Sequence, residues 1–101
     1  MSAFALAPEV YDDIWIIWEY LAREAGVEIA NRIEAELFAG FEVIGRTPGV
    51  GHRREDLTGR DVFFYAVEPY LIVFRKRVPV QIAAVFHGRR NVKGLLSARL
   101  G

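Results

Sequence analysis

The groups able to do proton chemistry are few in this chain. There are two histidines, His52 and His87, separated by 35 positions, and there is no cysteine. Thiolate nucleophiles and disulfides are thereby excluded. The only serines are Ser2 and Ser97, so a serine nucleophile is unsupported. Two histidines so far apart are a weak pair of metal ligands, and neither a metal nor a cofactor is expected. No two carboxylates stand at a recognisable acid–base spacing. The glycines of Thr47-Pro48-Gly49-Val50-Gly51 and Gly88 do not follow the strand, glycine loop and helix order that cradles a nucleotide phosphate. What the chain has in quantity is arginine, eleven of its thirteen basic residues. A guanidinium fork matches phosphate or carboxylate oxygens in two-point contacts, which favours directed recognition of an anion over mere solvation.

The charge is also segregated. Residues 1–50 carry nine acids against three bases, and residues 51–101 carry ten bases against four acids, so a formal net charge of zero hides a strong dipole. From Pro69 to the end there is no Asp or Glu at all. Such a pole attracts phosphate, nucleic acid or an acidic protein segment. Three segments supply it. The first is a loop with His52, Arg53, Arg54 and Arg60, and the second is a strand exit with Arg75, Lys76 and Arg77. The third is another strand exit with His87, Arg89, Arg90 and Asn91. We expect all three to converge. His87 is the first candidate general acid or base inside the cluster, with His52 second; the plainer and preferred reading of His87 is a strand-end histidine bonded to the backbone or the loop.

The elements that position these residues follow from periodicity. Residues 3–7 read as a short edge strand. Pro8 fits the first turn of a helix, where its missing N–H costs nothing, and Glu9, Asp12 and Asp13 oppose the positive helix end. Val10, Ile14, Ile17 and Leu21 form one apolar stripe. Tyr11, Trp15, Trp18 and Ala22 form a second stripe about 100° round the helix. That arc is wider than one sheet face requires. Trp15 and Trp18 read first as core, with a partner groove as the alternative. Gly26 is a natural stop. A second helix is expected over 27–45, with Ala30, Ile33, Leu37, Phe41 and Ile44 inward and Gly40 allowing close approach to the first helix. Strands follow at 62–67, Tyr70–Arg75 and 80–87, joined by short links that imply an antiparallel meander. The middle strand is apolar on both faces and should be covered on both. Asn91 is placed to cap a last short helix holding Leu95, Leu96 and Leu100. The resulting fold class is α+β, of order β-α-α-β-β-β-α, with a helical hairpin packed on a twisted, mainly antiparallel sheet in one domain spanning residues 1–101.

No apolar run approaches the length of a membrane span, and the residues after Met1 contain no basic stretch of a secretion signal. A cytoplasmic protein is the expectation.

Gly59-Arg60, Tyr70-Leu71-Ile72-Val73-Phe74-Arg75 and the strand ending in His87-Gly88-Arg89-Arg90-Asn91 together resemble the ParE branch of the ParE/RelE toxin superfamily. Leu6-Ala7-Pro8-Glu9-Val10, the paired helices and the break at Thr47 to Gly51 fit the same pattern, so the resemblance spans nearly the whole chain. It implies the toxin of a type II toxin–antitoxin system, neutralised by a cognate antitoxin whose disordered, acidic segment wraps the toxin. For the ParE branch it further implies inhibition of DNA gyrase, a binding activity with no chemistry of its own. The RelE branch offers the alternative of a ribosome-dependent mRNA endoribonuclease. In that reading Arg60, Arg75 and Arg90 would clamp phosphate and His87 would carry a proton, but a second proton carrier is hard to find in this chain. Under the toxin reading, the expected target- or antitoxin-binding residues are Arg53, Arg54, Arg60, Arg75, Arg77, His87, Arg89, Arg90, Asn91, Trp15 and Trp18.

Overall fold

The structure is a computed structural model that describes residues 3–100. Strand β1 (Phe4–Leu6) leads into helix α1 (Pro8–Ala25), which hairpins into α2 (Val27–Arg46). A single 3-10 turn (Pro48–Val50) and a loop precede β2 (Phe63–Val67), β3 (Tyr70–Arg75) and β4 (Val80–His87), and α3 (Val92–Leu100) closes the chain. The strands lie side by side in the order β1-β4-β3-β2. The meander is antiparallel and the short edge strand β1 runs parallel to β4. The expected α+β order is therefore observed. Strand β2 begins at Phe63, with Val62 still in the approach to it, and α2 runs one residue past Gly45.

Alternation along β3 and β4 fills both faces of the sheet. On one face, Tyr70, Ile72, Phe74, Val80 and Ile82 pack with Val10 and Ile14 of α1 and Leu37, Phe41 and Ile44 of α2. On the other, Val62, Phe64, Val73, Ala84 and Phe86 pack with Val92 and Leu96 of α3. A helix of nine residues is marginal on its own. Burying Val92 and Leu96 contributes about 1.5–3 kcal/mol each and holds it down. Its start is fixed by Asn91, whose Oδ1 accepts a hydrogen bond from the Gly94 N–H at 3.1 Å.

Two expectations about the helices fail. Gly40 does not serve the α1–α2 contact. A Cβ there would stand 2.9 Å from both Ile72 Cδ1 and Val67 Cγ2, so the missing side chain lets α2 settle onto the sheet. Nor is the tryptophan stripe core. Trp15 is 58% exposed and Trp18 half-buried, because the stripe of Val10 and Ile14 already covers the sheet. Gly26, at φ 100°, ends α1 as expected.

Candidate functional site

Strand register decides which basic residues meet. Tyr70 pairs with His87 and Arg75 with Gln81, so the exits of β3 and β4 lie at opposite ends of the sheet. Five residues of strand separate them, about 17 Å. The expected convergence of all three basic segments is thus corrected: they form two groups. His87 and Arg75, the proton carrier and one phosphate clamp of the endoribonuclease alternative, are not brought together.

At the β4 exit, the His87 ring stands edge-on to Tyr70 with centroids 5.5 Å apart, and its Nδ1 accepts the Arg89 backbone N–H at 3.1 Å. The backbone-bonded histidine is what the structure contains. Burial, and then the neighbouring Tyr20 phenol, push the Tyr70 pKa above its ordinary value of 10.0. Arg89, Arg90 and Asn91 are exposed in the turn that follows. Tyr20 links this end to the outer surface of α1, where Tyr11, Trp15, Ile16 and Tyr20 are each more than half exposed. Trp15 and Trp18 stack with centroids 5.7 Å apart, and Trp18 Nε1 donates to Asn31 Oδ1 of α2 at 2.9 Å. Two stacked indoles on a helix face with exposed tyrosines have the composition of a protein-binding hot spot.

The second group gathers around the loop. Its entry is pinned to β2 by reciprocal backbone hydrogen bonds between His52 and Phe64, and Leu57 packs on the α3 side of the core. Within the loop Arg53 is paired with Asp61 and Arg54 with Asp56. The Arg54 hydrogen bond holds the Asp56 carboxyl below its ordinary pKa. Arg53 and Lys76 also sit against the Phe63 ring, at 4.6 and 4.0 Å from its centroid. Arg75 and Arg77 both donate to Gln81 Oε1, at 3.4 and 3.1 Å. Arg60 forms no ion pair among the described residues and projects between two hollows. One, of about 380 Å³, is lined by Leu57, Thr58, Gly59, Arg60, Lys93 and Ser97, with Leu96 at its base. The other, of about 240 Å³, holds Arg60, Arg75, Lys76 and Arg77.

Between the two groups lies a joint that sequence reasoning missed. The pairing of β3 with β4 slips after Val73, leaving Ala83 as an extra residue on a flank of β4 that β1 is too short to cover. Asp13 Oδ2 accepts the Val85 N–H at 3.1 Å, and Arg99 of α3 donates to the Ala83 carbonyl at 3.1 Å. The two side chains close on each other through Arg99 Nη2 to Asp13 Oδ1 at 2.6 Å and Nη1 to Oδ2 at 3.0 Å. That hydrogen-bonded carboxylate raises the Arg99 pKa, keeping the guanidinium charged. The available signal was Asp13 itself, an acid on the buried side of the Val10–Ile14 stripe rather than on the solvent side.

The β3–β4 register leaves Arg90 beside His87 and keeps Arg75 at the other end of the sheet. Among known proteins, the family model described as "ParE toxin of type II toxin-antitoxin system, parDE" matches residues 4–92, leaving most of α3 outside the match. The chain is 30% identical over 96 residues to Toxin ParE1 of Caulobacter vibrioides, covering 95% of this chain and 99% of that one. Its fold is shared by a solved structure described as the chromosomal ParDE TA system from P. aeruginosa, with a TM-score of 0.73 at 17% identity, over 86% of this chain and 96% of the other.

Proposed function

The chain belongs to the ParE toxin family of type II toxin–antitoxin systems, and from that membership we propose that it acts in the cytoplasm as an inhibitor of DNA gyrase held in check by a cognate antitoxin. The observation that carries a binding activity rather than catalysis is the β3–β4 register. His87 spends Nδ1 on the Arg89 backbone N–H and lies about 17 Å of strand from Arg75. General acid–base catalysis needs proton carriers within hydrogen-bond reach of the same phosphate. The gyrase reading therefore assigns His87 to structure and the arginines to recognition.

The antitoxin is assigned the α1 face, where Trp15, Trp18 and Tyr20 continue toward Tyr70, Arg89 and Arg90. A segment folding there would set its apolar residues on the indoles and its acidic ones against the arginines at their edge. The opposite, loop-side group faces the target.

Purified toxin, gyrase and supercoiled plasmid test the assignment. Toxin added at increasing concentration should accumulate cleaved plasmid that is trapped by denaturation, and His87→Gln should do so equally well. Unchanged gyrase activity at saturating toxin, together with messenger cleavage on ribosomes that His87→Gln abolishes, would move the protein to the endoribonuclease alternative.

A further inference from the structure

The two loop-side hollows meet at Arg60 in one groove with three basic stations, Lys93, then Arg60, then Arg75, Lys76 and Arg77, and one acid, Asp61, which is paired with Arg53. One wall is the loop of residues 57–62. The other is α3, which spans about 10 Å between Lys93 and Leu100 at 1.5 Å per residue. The joint of Asp13 and Arg99 fixes that helix against the sheet, so the stations keep their spacing. Polar lining comes from the hydroxyls of Thr58 and Ser97, and Arg60 lends its backbone N–H to Thr58 Oγ1 at 3.1 Å.

We propose that this groove binds the phosphodiester backbone of DNA directly, so that the toxin touches the nucleic acid as well as the enzyme that holds it. The inference rests on the gyrase reading for its biological setting, though not for its chemistry. Arginine, lysine and hydroxyl groups in a row are the donors that phosphate oxygens take in protein–DNA contacts. An acidic protein segment fits less well. Affinity for a peptide comes mainly from apolar anchors in desolvated pockets; here Leu96 and Val62 are buried, which leaves the partly buried Leu57 and Leu100 as the apolar lining. The exposed aromatic side chains are on the helical hairpin instead, Tyr11, Trp15 and Tyr20 on α1 and Phe38 on α2. A repeating anion needs no such anchors, since release of counterions supplies the driving force.

Fluorescence anisotropy of a labelled 24-base-pair duplex, titrated with toxin alone at several salt concentrations, tests the groove. Arg60→Gln plus Lys93→Gln should weaken binding at least tenfold and reduce the slope of log K against log salt by about two. Arg23→Gln plus Arg46→Gln removes the same charge from the helical hairpin and should change the affinity less than twofold. Arg77→Gln, at the groove's other end, should lower the slope by about one and provides a second test should the double variant misfold. Equal weakening by the groove and hairpin pairs would overturn the proposal, as would absence of DNA binding at 50 mM salt. So would a poly-glutamate peptide that binds as tightly and loses affinity with the same groove variants. The gyrase reading stands or falls separately. Cleaved plasmid without duplex binding refutes the groove alone, and duplex binding without cleaved plasmid refutes gyrase alone.

Discussion

The outer face of α1 and the loop–α3 groove are both exposed, yet they are built from opposite materials. The first presents Tyr11, Trp15, Ile16 and Tyr20 on a helix that carries Glu9, Asp12, Glu19 and Glu24. The second presents Arg60, Lys93, Arg75, Lys76 and Arg77 with hydroxyls between them. Large exposed aromatic groups on a small protein mark a surface meant to be covered by another protein. A row of cations along a groove marks one that meets repeated negative charge. A toxin that must be silenced by one partner and engage another can use this separation, because each surface then changes without loss of the other. The two are not mechanically independent, however, since Asp13 on α1 holds Arg99 on α3.

Breaking that joint should have the largest effect. Asp13→Ala removes one member of a mostly buried pair and leaves the Val85 N–H without its acceptor. A loss of about 3–5 kcal/mol is expected, read as a lowered midpoint in urea. Fast exchange of the α3 amides should accompany it. A midpoint shift within error would show that α3 is held by Val92 and Leu96 alone.

The next effect separates the surfaces. Trp15→Ala plus Trp18→Ala should weaken the complex with the cognate antitoxin by 2 kcal/mol or more, about thirtyfold or greater. Growth arrest by the toxin alone should be unaffected. Tryptophan emission of the wild type should shift to the blue when antitoxin is added, and an unchanged spectrum would remove the antitoxin from α1. Smaller still is the effect of the rim. Arg89→Glu plus Arg90→Glu reverses two exposed charges and should cost about 1.4 kcal/mol in antitoxin binding, a factor of ten. The loss should shrink as salt rises. If growth arrest fell while antitoxin binding held, the β4 exit would belong to the target-facing surface.

The smallest effect is on alkaline stability. Tyr70 has a folded pKa raised above the ordinary 10.0, first by burial and then by Tyr20. A raised folded pKa means that the unfolded chain releases its proton first as pH rises. The contribution to stability is thus intact below pH 10 and declines from there up to the folded pKa. Tyr70→Phe should flatten that decline in a series of urea melts. An identical decline in both proteins would place the phenol in a more solvated position.

The element order was legible because it rests on local signals: Pro8 and Gly26 around α1, Asn91 before α3, and short apolar runs for the meander. What periodicity does not contain is orientation. Two apolar stripes on α1 were visible, but only the packed sheet decides that Val10 and Ile14 face inward and Trp15 outward. The same limit applies to the basic residues. Arg75 and His87 both end apolar strands, and reading the strand ends as neighbours ignores that consecutive antiparallel strands finish at opposite ends. Asp13 and Arg99 are 86 positions apart, and the bulge that they satisfy has no sequence mark of its own. Lys93, Thr58 and Ser97 become a groove wall only once α3 lies over the sheet. Arg60 stands out in the sequence only as one more loop arginine; the structure adds that it lines both hollows and forms no ion pair among the described residues.

The most direct measurement is induction of the chain alone in bacteria carrying a reporter for DNA double-strand breaks, with His87→Gln induced in parallel. Growth arrest with the reporter on, and the same arrest from the variant, is the predicted result. Arrest with the reporter silent, relieved by His87→Gln, would contradict the gyrase account and restore His87 as a group that does chemistry.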